Sequence, residues 1–171
     1  MVARQGNPAA ASDPTPVDVA ITVGRTLVPP DGRVDVLVDN LAAHRGRPIS
    51  VVRLDLGVEG PTGAWVSTRD LDVLITSEAA TPTQHEATVL HEVAHMLLGH
   101  EPDGVDEHYA HFASLVAPTL APDLVRHVLT RHTYVSQPEH DAESLATRLA
   151  VAVRRARTEH HWADRVSTRM R

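Results

Sequence analysis

His91, Glu92 and His95 stand in the order H-E-x-x-H, with Val93 and Ala94 filling the two intervening positions. On an α-helix, residues four apart lie one turn apart on the same face, so His91 and His95 can turn two imidazoles toward one tetrahedral cation. Glu92 is rotated to one side. From there its carboxylate cannot easily join the coordination sphere, but it can take the proton of a metal-bound water. Val89, Leu90, Val93, Ala94, Leu97 and Leu98 make the rest of the stretch apolar. Three polar groups buried there without partners would cost roughly 1–3 kcal/mol each, a cost that a bound ion removes. The chain holds 12 His, which favours accidental matches. The apolar flanks and the helix-end signals around the motif weigh against accident.

With no Cys in the chain, any metal must be held by His, Asp and Glu, and a catalytic zinc needs a third such ligand beside an open position for water. The extended pattern H-E-x-x-H-x-x-G-x-x-H fails here. Leu98 stands where its glycine would be and Glu101 where its third His would be, with His100 off by one. A carboxylate from a later helix is the alternative. Glu139 and Glu143 share one face of such a helix, and Ala142 and Ala146 are small enough for close approach. Glu139 is the expected third ligand. Glu143, one turn on, is expected to accept a hydrogen bond from the far nitrogen of a ligand His. Ser136-Gln137-Pro138-Glu139 also reads as a capping box, a role that competes for the same carboxylate. Asp141 and Glu143 stand as substitute ligands. His108 and His111, at helical spacing, stand behind them and read more readily as surface histidines.

The elements that must position these residues have their own signals. Thr81-Pro82-Thr83-Gln84 combines an N-cap hydroxyl, a proline at the first helical position and a capping-box Gln. Gly99 supplies the stop, which predicts a helix over Pro82 to Leu98. Val34, Leu37, Val38 and Leu41 fall at helical spacing, with Asp31 as N-cap and Gly46 and Pro48 as terminators. Between these helices, β-branched runs at Ile49 to Leu56, Gly63 to Thr68 and Leu71 to Ser77 are separated by Gly60-Pro61 and Arg69-Asp70. They predict a small antiparallel meander. Helices are expected at 105–117 and 121–133, broken by Pro118 and Pro122, and a last one from Gln137 to about Arg157.

The expected class is therefore α+β, with a short, mostly antiparallel sheet packed on the motif helix and further helices toward the C-terminus. Its 171 residues suit one domain. It is expected over 17–157, after a disordered leader rich in Ala and Pro over 1–16 and before a basic tail over 158–171. Aromatic residues make up only 3%, so the core must be built from Val, Leu, Ala and Ile. The formal charge of −6 gives no reason to expect nucleic acid as a direct ligand. Arg154, Arg155, Arg157, Arg165, Arg169 and Arg171 crowd the C-terminus, where a solvated helix end explains them. No run approaches the roughly 18 apolar residues of a spanning helix, and 1–16 lacks the apolar stretch of a signal peptide. The expected location is the cytoplasm, without membrane association.

The sequence resembles the ImmA/IrrE-type metallopeptidases, a group of small zincins. The resemblance lies in His91-Glu-Val-Ala-His-Met-Leu-Leu-Gly-His100, in Arg47-Pro-Ile-Ser-Val-Val-Arg-Leu and Gly63-Ala-Trp-Val, and in Glu139-x-x-Ala-Glu-x-Leu-Ala146. It spans about Val34 to Ala150. Glu143 stands where the family usually carries Asn or Asp, and Leu145 where it carries Phe. The resemblance implies a zincin-like minimal fold and one zinc ion per chain. It implies His91, His95 and a later-helix Glu as ligands, Glu92 as general base, and a protein substrate, often a helix-turn-helix repressor. The expected reaction is attack of a metal-bound water on a peptide carbonyl. A strand around Trp65 offers an edge for an extended substrate, with a core or surface role for Trp65 as the competing reading. His132 and Tyr134 lie near the second motif in sequence, as possible oxyanion donors. Two alternatives accompany the protease: a metal-bound module that senses or sequesters a transcription regulator without cutting it, and a zincin scaffold acting on a small molecule.

Overall fold

The computed structural model describes residues 13–56, 62–67, 70–100, 127–128 and 137–169. Chain order among them is α1 (Pro16–Leu27), α2 (Val34–Arg45), β1 (Ile49–Leu54), β2 (Gly63–Ser67), β3 (Asp72–Ser77), α3 (Pro82–Leu98), β4 (His127–Val128) and α4 (Gln137–Arg169). The α+β class stands. No helix among the described residues is long and apolar enough to cross a membrane.

Helix α1 was not anticipated as an element, although its signals are local. Thr15 accepts from the Asp18 backbone N–H while the Asp18 side chain reaches back to the cap, and Pro16 opens the helix. Val17, Ala20, Ile21, Gly24 and Leu27 form its buried stripe. In α2, Asp31 is not the N-cap as expected. That position belongs to Arg33, and the Asp31 carboxylate instead accepts from the Arg33 backbone N–H at 3.1 Å, two residues too early to serve the helix.

The sheet order is β1-β3-β2-β4. β2 runs antiparallel to β3, and β4 runs antiparallel to β2 at Val66 and Ser67, but β1 lies parallel to β3, so the expected meander does not form. Burial explains the order. Asp72 to Thr76 of β3 are all buried, as a strand covered on both faces and paired on both edges must be, whereas β1 exposes Ser50, Val51 and Arg53 and takes the sheet's edge. His127 and Val128, expected inside a helix over 121–133, are the two residues of β4. The rest of that stretch, the expected helix over 105–117 and residues 1–12 of the leader expected over 1–16 lie outside the described residues, while Thr15 and Pro16 of that leader open α1.

The helices stack on one face of the sheet. Leu37, Leu41, Leu74, Val89, Val93, Leu145 and Leu149 fill the main core, while Ala64, Val66, Val73 and Ile75 form a smaller cluster of their own. α4 is fixed lengthwise by its own contacts. Arg148 meets Asp18 of α1 at 2.8 Å, and Arg157 meets Glu86 of α3 at 2.7 Å while donating to the Gly32 carbonyl at 3.0 Å. Such half-exposed pairs are each worth under about 1 kcal/mol, so apolar burial holds the helix and the pairs set its register. α4 also continues to Arg169, so 158–169 is helix where a tail was expected. Its exposed end is sustained by local pairs one turn apart, Arg155 with Glu159 and His160 with Asp164, and not by the core.

At the other end of the sheet, Asp72 is fully buried between Arg45, at 3.0 Å, and Arg47, at 3.1 Å. Arg45 also donates to the Met96 carbonyl at 3.4 Å and lies 5.4 Å from the Trp65 ring centre. These contacts join the end of α2, the start of β3 and the last turn of α3.

β2 approaches α3 so closely that only glycine fits at Gly63. A Cβ there would stand 2.1 Å from Thr88 Cγ2, 3.0 Å from the Ile75 carbonyl and 3.4 Å from Glu92 Oε1. Gly63→Ala should therefore lower stability by about 1–3 kcal/mol in urea denaturation. Adding Thr88→Ser, which removes the methyl it strikes, should recover part of that loss. An additive double variant would show that the contact is not what constrains the strand.

Candidate metal centre

α3 spans Pro82 to Leu98, the bounds its end signals predict. Thr81 and Gln84 form the capping box at its start, and Gly99, at φ 67°, ends it in the left-handed conformation. Every residue from Thr88 to Met96 is buried, so His91 (3% exposed), Glu92 (2%) and His95 (6%) are carried into the interior by the helix itself.

His91 Nε2 and His95 Nε2 are 2.9 Å apart. From α4, Glu139 sets one carboxylate oxygen 3.1 Å from His91 Nε2 and the other 3.4 Å from His95 Nε2. The three residues form a group able to hold a metal ion. Ligands about 2.0–2.1 Å from a tetrahedral zinc stand about 3.3 Å from one another, close to these separations. Two imidazoles and one carboxylate suit zinc and also other first-row divalent ions, so the donor set alone does not select one.

Around these three, the expected supporting residue and an unexpected one occupy the far nitrogens of the two His. Glu143 Oε2 lies 3.3 Å from His91 Nδ1, with its side chain 71% exposed. His100 Nδ1 lies 2.9 Å from His95 Nδ1. By its spacing His100 fails as a ligand in the extended pattern, yet the pair Gly99-His100 is a local sequence signal for this contact, because a left-handed glycine after a helix folds the following residue back over the last turn. Burial holds the His100 imidazole below its usual pKa, partly offset by the charges of Asp141 and Glu139.

Of the substitute ligands, Asp141 accepts from the Gln137 side chain at 2.8 Å and is not in the group. Ser136, which the capping-box reading of Glu139 requires, lies outside the described residues, as do His108, His111, His132 and Tyr134. Trp65 is 5% exposed and belongs to the core. Part of the edge it was expected to offer is taken, because Val66 and Ser67 pair with β4. Glu92 lies toward the start of β2, where its Oε1 would stand 3.4 Å from a Cβ on Gly63. The motif helix thus faces α4 with its two imidazoles and β2 with its carboxylate.

The chain matches no protein-family model, no curated protein and no solved structure.

A site assembled from α3 and α4 makes metal binding a contribution to folding. With free zinc at about 100 times its dissociation constant, mass action adds about 2.7 kcal/mol, which raises the melting temperature by roughly 5–10 °C in a chain of this size. Thermal denaturation should show that rise in the wild type. Glu139→Ala should lose most of it and Glu143→Ala less. An equal rise in Glu139→Ala would remove Glu139 from the coordination sphere.

Proposed function

We propose that this chain is a zinc-dependent metallopeptidase of the ImmA/IrrE type, cleaving a regulatory protein such as a helix-turn-helix repressor. The observation that carries the reading is the pairing of a three-donor group, His91, His95 and Glu139, with a buried acid on the same helix. A site that only held metal would need no such acid beside it.

A bound zinc ion would supply Lewis acidity, lowering the pKa of water and polarising a carbonyl at the site. His91 and His95 would hold the ion through Nε2, and Glu139 of α4 would add a carboxylate. Glu92 takes the proton of the attacking water and returns it to the departing amine nitrogen, a role within general acid–base catalysis. Burial of Glu92 behind Gly63 keeps competing water away from that carboxylate. The substrate would add as an extended strand beside Gly63 to Trp65, the portion of β2 not paired with β4 among the described residues. This direction brings a peptide backbone along the Glu92 side of the helix.

The test is Glu92→Gln, which keeps size and hydrogen bonding but cannot accept the proton. Zinc-loaded wild type and variant are incubated with a library of extended peptides and the products read by mass spectrometry. Cleavage should fall by at least about 100-fold in the variant while zinc content is unchanged. Equal cleavage by the two proteins would overturn the assignment.

A further inference from the structure

We propose that His100 is the positioning residue of the centre, accepting the Nδ1–H of His95 and so fixing the tautomer in which His95 Nε2 faces the metal. The inference rests on reading His91, His95 and Glu139 as a metal centre, and gives a task to a residue outside that set.

The geometry of His95 sets the argument. Its Nε2 lies 2.9 Å from His91 Nε2 and 3.4 Å from Glu139, while its Nδ1 lies 2.9 Å from His100 Nδ1. A neutral imidazole carries one N–H. Ligation through Nε2 uses that nitrogen's lone pair, so the proton must sit on Nδ1 and needs an acceptor in the plane of the ring. His100 Nδ1 is at hydrogen-bond distance for that purpose, with its own proton on Nε2. The same contact explains why His100 is not a ligand, because it meets His95 at the end of the ring facing away from the donor group.

The backbone makes this contact inherent in the way α3 ends. Gly99 donates to the Met96 carbonyl at 3.3 Å, and His100 donates to the His95 carbonyl at 3.1 Å. This double closure brings the residue after the glycine against the residue five positions earlier, where an apolar pair is usual. Here the pair is His on His, with ring centres 5.0 Å apart in an edge-on arrangement. Glu143 stands in the equivalent position on His91, yet 71% of its side chain is exposed, and water competes for that contact. The part-buried His95–His100 contact should therefore contribute more to ligand orientation than the His91–Glu143 contact does.

Zinc affinity by chelator competition, with the visible spectrum of the cobalt-substituted protein, tests this directly. His100→Phe keeps a ring but no acceptor and should weaken zinc about 10–100-fold while shifting the cobalt bands. His100→Asn places an amide oxygen where Nδ1 stood and should restore most of the affinity. Glu143→Ala should weaken zinc less than His100→Phe does. If the Phe variant fails to fold without metal, His100→Gln takes its place, since its amide sits one bond further out and should not rescue. The proposal is overturned if Phe binds like wild type, or if Asn binds no better than Phe or Gln. Failure of the wild type to bind metal would instead overturn the metal centre itself.

Discussion

Everything in the site follows from one close approach, that of two imidazole nitrogens at 2.9 Å with a carboxylate closing on both. Lone pairs and a negative group converge there beside a buried stretch of α3 in which Val89, Leu90, Val93, Ala94 and Met96 are apolar. A cation between them turns mutual repulsion into attraction, and in a buried setting that attraction is strong. The surroundings then have two tasks: to deliver the carboxylate to the imidazoles and to hold the imidazoles in the right tautomer.

Delivery is a packing problem. Glu139 lies near the start of α4, so its position depends on where that helix settles against α1 and α3. Leu145, Leu149 and Val153 supply the buried contacts, and Gly24 of α1 lets the helices close up, since a Cβ there would meet Leu149 Cδ2 at 2.7 Å and Leu97 Cδ1 at 3.2 Å. Arg148 and Arg157 then select one register among those the apolar stripe would accept. On the opposite side of α3, Gly63 allows β2 to lie almost in contact with Glu92. The two sides of one helix are thereby given different chemistry, donors toward α4 and a carboxylate toward the sheet.

What was legible in the sequence was whatever one short segment determines. The bounds of α3 came from Thr81, Pro82, Gln84 and Gly99, and the shared face of Glu139 and Glu143 came from four-residue spacing. Strand order was not legible, because β1 joining β3 in parallel depends on which strand is buried and paired on both edges, a fact set by residues far apart in the chain. α1 carries a readable capping box in Thr15 and Asp18, but that box straddles the boundary between the Pro- and Ala-rich leader expected over 1–16 and the domain expected from Val17. α4 outran its predicted end because pairs such as Arg155 with Glu159 extend a helix without any apolar stripe. His100 falls outside the ligand pattern in the sequence, whereas its contact with His95 follows from the backbone of a helix terminus. Only the coarse α+β class, and not the zincin-like fold, follows from the observed elements.

The central claim is that this helix pair binds one metal ion through His91, His95 and Glu139. Equilibrium dialysis of the chelator-stripped protein against zinc, with bound metal counted by mass spectrometry, measures it most directly. The account predicts one zinc per wild-type chain and a large loss of binding in Glu139→Ala. A wild type that retains no zinc under these conditions, or a Glu139→Ala chain that retains as much as wild type, would contradict it.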